Sequence, residues 1–338
     1  MTDQLAVGLN AVIVAVTREV PRILTVGRPD LERDPARERS RERPDEAVDA
    51  LPFGPLDPEE DRTLELALRR WVREQTGIGL GYVEQLYTFG DRFRDPRELE
   101  GGPRVASVAY LALVRESSPA RGVAAHWRSV YRFFPWEDWR AGQPRVIDEH
   151  IAPALEEWVK EAGGRKGERE RRERAAVAFG IHGGVWDGER VLERYELLYE
   201  LRLAAEAIRD RLRLGAATAG VELEGATGVE MAYDHRRILA AALGRMRGKV
   251  KYRPVIFELM SPTFTLLQLQ RAVEALAGMR LHKQNFRRLV EQGGLVEGTG
   301  TQDSRTGGRP AELFRFRREV VLERHAPGVG LPGTRRQP

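Results

Sequence analysis

The sequence predicts an α+β protein: an N-terminal mixed α/β sandwich, a helical linker and a C-terminal winged helix-turn-helix. Three observations carry that expectation. Short apolar, β-rich runs surround amphipathic helices over the first half; a long helical stretch follows; and positive charge collects at the C-terminal end around a helix, a glycine stop and a Gly-rich hairpin pattern. At 338 residues, two domains are expected. The boundaries drawn from composition are 1–162 for the sandwich, 163–233 for a helical linker or dimerisation region, 234–326 for the winged helix and 327–338 for a flexible tail.

Along the sandwich, Val, Ile, Leu and Ala cluster around a turn at Glu19-Val20-Pro21, predicting strands Asn10–Thr17 and Arg22–Val26. Residues 28–50 hold little to bury and read as a mobile surface insertion. A helix over 61–76, with Leu64, Leu68 and Val72 on one face and Gly77 as its cap, comes next. Strands follow at Gly81–Phe89, Arg104–Arg115 and Ser129–Pro135, with an arginine-rich loop at 92–97 between the first two; a helix spans about Asp148–Ala162. The charge run Gly163–Arg174 reads as a solvated linker or helix face. Glu189–Leu212 is predicted as one helix used for packing or dimerisation, Gly215–Thr227 as a flexible junction and Asp234–Arg247 as a further helix.

Composition narrows the function classes. Hydrophobic residues at 41% can fill sizeable cores, and there is no cysteine, which removes disulfides and thiolate metal sites and agrees with a reducing cytoplasm. No apolar run approaches the roughly 20 residues of a membrane span, and Met1–Asn10 lacks a signal-peptide pattern. The six histidines are scattered without metal-ligand spacing, so neither a metal nor a cofactor is assigned. The net charge of +4 is unevenly spread: residues 234–338 carry 20 lysines and arginines against 9 acids, leaving 35 bases and 42 acids before them. A polyanionic partner therefore belongs with the C-terminal part.

That part has the order of a winged helix. A buried segment, Val255–Met260, leads to Thr265 as N-cap of a helix Leu266–Ala277; Gly278–Leu281 makes the turn; a second helix, about His282–Gln292, presents Lys283, Gln284, Asn285, Arg287 and Arg288 while Phe286, Leu289 and Val290 turn inward. Leu295–Glu297 and Glu312–Phe316 read as short strands flanking a wing that carries Arg305 and Arg309. Such a helix delivers hydrogen-bonding side chains to base edges in the major groove, and a basic wing grips phosphate. An ordinary small domain with a solvated basic face would explain the charge but not the agreement of helix, glycine stop and hairpin.

Around 61–78 the sequence resembles the Nudix box, in which Arg-Glu-apolar-x-Glu-Glu-x-Gly-apolar sets glutamates on one helical face to hold divalent cations against a diphosphate. Arg70, Glu74 and Gly77 match, but Trp71 and Gln75 stand where two glutamates belong. Nine residues separate Glu60 from Arg70, against seven in the signature. One firm carboxylate is too few for a catalytic pair of ions unless Glu60 or Glu65 supplies another. No catalytic residue is assigned.

With Tyr82–Asp95 and Arg97, the strand Val105–Val114, Asn285-Phe286-Arg287-Arg288 and Gly307–Phe316 added, the chain resembles the Nudix-related transcriptional regulators of NAD metabolism, closest to the alphaproteobacterial type. The resemblance leaves 28–50 and 163–230 poorly covered. It implies a homodimeric repressor of NAD biosynthesis or salvage genes that binds a double-stranded operator and senses ADP-ribose or another NAD-related adenine nucleotide through a catalytically degenerate Nudix-like domain. Arg92, Arg94 and Arg97 are the expected phosphate contacts, with Phe89 or Phe93 as a stacking face and Arg70 and Glu74 beside them. Two other classes remain open: a working Nudix pyrophosphohydrolase with a nucleic-acid-binding domain, and a silent scaffold that binds RNA or protein.

Overall fold

Strand alternation organises the first half. In the computed structural model, which describes residues 5–27, 48–215, 226–303, 310–323 and 328–329, β1 (Leu5–Thr17) forms a hairpin with β2 (Val20–Gly27) and runs parallel to β6 (Arg104–Leu113). β6 pairs antiparallel with β5 (Tyr82–Phe89), giving the order β3-β2-β1-β6-β5; β3 (Asp49–Ala50) borders β2, β4 (Phe53–Pro55) pairs with β1, and β7 (Ala125–Ser129) pairs with β2. The first turn falls at Arg18-Glu19, where both residues take positive φ, slightly ahead of the expected Glu19–Pro21.

Because side chains alternate across a strand, β1 supplies two cores. Leu9, Ala11, Ile13 and Ala15 face one side, where they meet Ala67, Leu68 and Val72 of α1 (Leu64–Thr76). Val12 and Val14 face the other, which the central and C-terminal helices cover. Thr63 caps α1 by accepting from the Leu66 amide, and Gly77 ends it at φ 73 with its N–H on the Arg73 carbonyl. A Cβ on Gly77 would also lie 2.5 Å from that of Ala120, so both backbone and packing require glycine there.

Several expectations need correction. The insertion ends before Val48: Val48, Asp49 and Ala50 are buried, and the Asp49 carboxylate accepts from the Thr25 hydroxyl at 2.6 Å; residues 28–47 lie outside the described residues. The strand expected at 129–135 instead ends at Ser129, and a helical turn, Val130–Phe133, follows, because Val130, Phe133, Phe134 and Trp136 are all buried on one core rather than alternating. The charge run at 163–174 needs no correction, since of the two readings, linker or helix face, it takes the helix face: it opens α3 (Arg165–Phe179), after a π-turn at Ile147–Ile151 and α2 (Ala152–Lys160), with Lys166–Glu170 and Arg169–Glu173 spaced i,i+4. The single helix expected at 189–212 breaks into α4 (Val191–Glu200) and α5 (Ala205–Arg213), with Arg202 at φ 60 between them. Most of the expected junction, residues 216–225, lies outside the described residues, while Thr227 is buried.

The helix after it, α6 (His235–Tyr252), is longer than expected and central. It packs against β1, β5 and β6 on one side and against α4 and α7 (Leu266–Ala277) on others, burying residues on nearly every face. Thr265 and Gln268 form a full capping box on α7. After Gly278, α8 (Lys283–Gln292) packs Phe286 and Val290 inward, and β8 (Val296–Asp303) pairs with β9 (Ala311–Phe316) as a hairpin longer than the sequence suggested. Phe264 and Phe314 exchange backbone hydrogen bonds at 2.9 and 2.8 Å, tying the hairpin to the start of α7. The winged helix order is therefore present.

Candidate functional site

On α8, Lys283, Gln284, Asn285, Arg287 and Arg288 are all exposed, and none of the three cations makes an ion pair among the described residues. Two buried anchors, Phe286 and Val290, four residues apart, fix which face of the helix turns outward. The wing residues Arg305 and Arg309 lie outside the described residues. Within the hairpin, Arg315 pairs with Glu297 at 2.6 Å, so part of its charge is already used.

On the box helix, the residues standing where glutamates were expected have structural work of their own. Gln75 exchanges two hydrogen bonds with the Phe53 backbone, donating to its carbonyl at 2.6 Å and accepting from its amide at 3.1 Å. Trp71 lies flat against Gly54, where an added Cβ would come within 2.2 Å of the ring, and its indole N–H donates to the Pro55 carbonyl at 2.8 Å. Together they fasten β4 to α1. Arg70 pairs with Asp61 at 2.9 Å and lies 3.7 Å from Glu74; Glu65 is taken by Arg69. No group of three or more His, Asp or Glu side chains is placed to hold a metal ion among the described residues.

The arginine loop divides. Arg92 is exposed, 3.9 Å from Glu98 and stacked over Phe93, itself at a positive φ. Arg97 is turned back onto Asp95. The Arg94 side chain is 6% exposed and fastened to Asp234 and the Ser107 hydroxyl, so a phosphate reaches its guanidinium only by displacing Asp234. Phe89 is 1% exposed, packed edge-on to Tyr87 and under Arg237. It is a core residue, which removes it as a stacking face; Phe93 keeps that possibility.

Asp234 leads into His235, whose Nδ1 accepts from the Leu51 amide at 3.0 Å and whose Nε2 lies 3.1 Å from Asn10 Nδ2. The Phe53 ring meets the His235 ring edge-on at 5.0 Å. The N-terminal end of α6 is thus bound to β1, β4 and the arginine loop together, and through Phe53 to Gln75 of α1. Sequence spacing gave no sign of this, since Arg94 and Asp234 are 140 residues apart.

The other end of α6 reaches the winged helix. Arg247 donates to Glu137 at 2.5 Å and to the Leu276 carbonyl at the end of α7 at 2.9 Å. Arg194 of α4 grips the same carboxylate at 2.6 and 3.0 Å. Burial alone would raise the Glu137 pKa, but the two guanidiniums hold it below the ordinary glutamate value. Beside it, burial pushes the Tyr131 phenol up to about 12, keeping it a donor to the Ala275 carbonyl at 2.6 Å.

Residues 256–316 match the model described as the NrtR DNA-binding winged helix domain. The chain is 35% identical over 120 residues to the ADPR responsive transcriptional repressor NtrR of Acinetobacter baylyi, covering 36% of this chain and 48% of the relative, so it spans about half the length of the curated relative it matches. Its fold is similar to that of Shewanella oneidensis NrtR complexed with a 27mer DNA, with a TM-score of 0.53 at 20% identity over 94% of this chain and 95% of that one. It is also similar to a MutT/nudix family protein from Enterococcus faecalis, with a TM-score of 0.50 at 15% identity over 94% and 88%. Residues 256–316 therefore match an NrtR-type winged helix, and it follows a mixed α/β domain whose fold is similar to that of these Nudix-type structures.

Proposed function

We propose that this protein is a DNA-binding transcriptional repressor of NAD biosynthesis or salvage genes, acting as a cytoplasmic homodimer, whose Nudix-like domain senses ADP-ribose or another NAD-related adenine nucleotide without hydrolysing it. The observation that carries the reading is the exposed face of α8, with Lys283, Gln284, Asn285, Arg287 and Arg288 held outward by buried Phe286 and Val290 within a winged helix. The A. baylyi relative, named as an ADPR responsive repressor, supports the choice of effector. Among the described residues no helix is long and apolar enough to cross a membrane.

In this reading the Nudix-like domain binds rather than cleaves. Trp71 and Gln75 hold β4 instead of supplying carboxylates, and Glu74 alone is too few oxygen ligands for a pair of Mg²⁺ ions. Arg92 and Arg97 are the accessible phosphate contacts, beside Phe93, Arg70 and Glu74. Arg94 acts as the switch: an effector phosphate competes with Asp234 for its guanidinium, and loosening that pair frees the N-terminal end of α6, whose far end touches α7 through Arg247.

The test is a fluorescence-anisotropy titration of the protein against upstream regions of its organism's NAD synthesis and salvage genes, repeated with ADP-ribose, NAD and ATP. Specific binding released by one nucleotide supports the reading and names the effector. Equal affinity for a scrambled duplex refutes it.

A further inference from the structure

We infer that the cleft between the sheet, the C-terminal end of α6 and the wing is a second ligand site, taking a nucleoside polyphosphate. The cleft has a volume of about 850 Å³, within the roughly 300–1,000 Å³ usual for small-molecule sites. Five cations line it, Arg115, Lys249, Arg253, Arg315 and Arg318, against one acid, Glu258.

Partnership separates these cations. Lys249 is held by Glu84 and Arg315 by Glu297. Arg115, Arg253 and Arg318 are exposed and make no ion pair among the described residues, although most of the described arginines are paired or hydrogen-bonded. Three guanidiniums sharing one concave space repel one another unless an anion lies between them, and their planar forks suit phosphate oxygens. The apolar part of the cleft suits a base. Phe257 and Phe316 stack at 4.3 Å and 18°, both are only partly buried, and both line the cleft.

This place is distinct from the sensing loop. Tyr82 at the start of β5 lines the cleft, whereas Phe89 at its other end precedes the arginine loop, a strand length of about 23 Å away. Likewise α6 begins beside Asp234, the partner of Arg94, and ends at the cleft after 18 residues, about 27 Å of helix. A ligand here would bridge the segment just after β6 (Arg115), the end of α6 (Arg253) and the segment just after β9 (Arg318). It would set the angle at which the wing is carried.

The experiment is isothermal titration calorimetry of the full-length protein, without DNA, using ATP and tripolyphosphate as probes and ADP-ribose as the reference ligand for the sensing domain. The variants are Arg115→Ala and the pair Arg253→Ala with Arg318→Ala, all exposed positions. The expected result is a loss of ATP affinity of at least tenfold in both variants, weaker binding of tripolyphosphate than of ATP by the wild type, and unchanged ADP-ribose binding. ATP binding equal to wild type in both variants, or no ATP binding by the wild type, overturns the assignment. Tripolyphosphate binding as tightly as ATP overturns the nucleotide part. Because no duplex is present, any of these failures leaves the repressor reading standing, and a failure of operator binding leaves this one.

Discussion

Replacing Glu137 with glutamine should cost this protein a large part of its stability. The carboxylate is fully buried and receives Arg194 at 2.6 and 3.0 Å and Arg247 at 2.5 Å, with both guanidiniums almost fully buried as well. Glutamine keeps the shape and removes the charge, leaving two desolvated cations facing each other across a neutral amide. Breaking a buried pair in this way costs about 3–5 kcal/mol. Total stabilities are about 5–15 kcal/mol, and with an unfolding entropy of about 2.1 cal/mol/K per residue each kcal/mol is worth about 1.4 °C in a chain of 338 residues, so a fall of roughly 4–7 °C in Tm is expected. Arg247 also holds the Leu276 carbonyl at the end of α7, so the winged helix should loosen with the rest. The assay is thermal unfolding followed by circular dichroism, with tryptophan fluorescence as a second probe, since Trp186 lies under Arg194 at 3.9 Å. A Glu137→Leu, Arg194→Met, Arg247→Met triple variant should recover part of the loss, as apolar replacements of buried ion networks often do. A Glu137→Gln protein melting within about 2 °C of wild type would refute the claim that this carboxylate joins the two units.

Other outcomes follow from the same geometry. Arg287→Ala and Arg288→Ala should each weaken operator binding by about 1–3 kcal/mol where the side chain reads a base, with unchanged Tm because both are exposed; if anisotropy shows wild-type affinity for both, α8 is not the reading helix. Gln75→Glu should destabilise by about 1–3 kcal/mol, because a carboxylate would face the Phe53 carbonyl that the amide now satisfies; a wild-type urea midpoint would contradict this. In acid, Glu137 is held below its ordinary value of 4.5, so it stays ionised when folded while the unfolded chain takes up protons. Its contribution is complete above pH 4.5 and fades as pH falls through the lower folded value. Wild-type Tm should therefore be level down to about pH 5 and then drop, and Glu137→Gln should drop less steeply; parallel profiles would exclude Glu137 as the source.

Much of the site and fold was legible in the chain because the signals are local. Gly77 marks the end of α1, Thr265 with Gln268 marks the start of α7, and the spacing of Phe286 and Val290 tells which face of α8 looks outward. That Trp71 and Gln75 differ from the box pattern could be read directly, but not that their side chains fasten β4, since that depends on which backbone lies opposite. Phe89 shows the limit from the other side: an aromatic next to an arginine loop reads equally as a stacking face or as core, and only the pairing of β5 with β6 decided for core. The arginines were the least legible of all. Arg94, Arg194 and Arg247 look like surface charges in sequence, and tertiary structure buried each against a partner 140, 57 and 110 residues away. Periodicity and capping are written within a few neighbouring residues, so the sequence alone determined the α+β order, the winged helix and its outward face. Burial and ion pairing depend on segments brought together from far along the chain, so only the tertiary structure decided which charges are free to meet a ligand and which hold the two halves together.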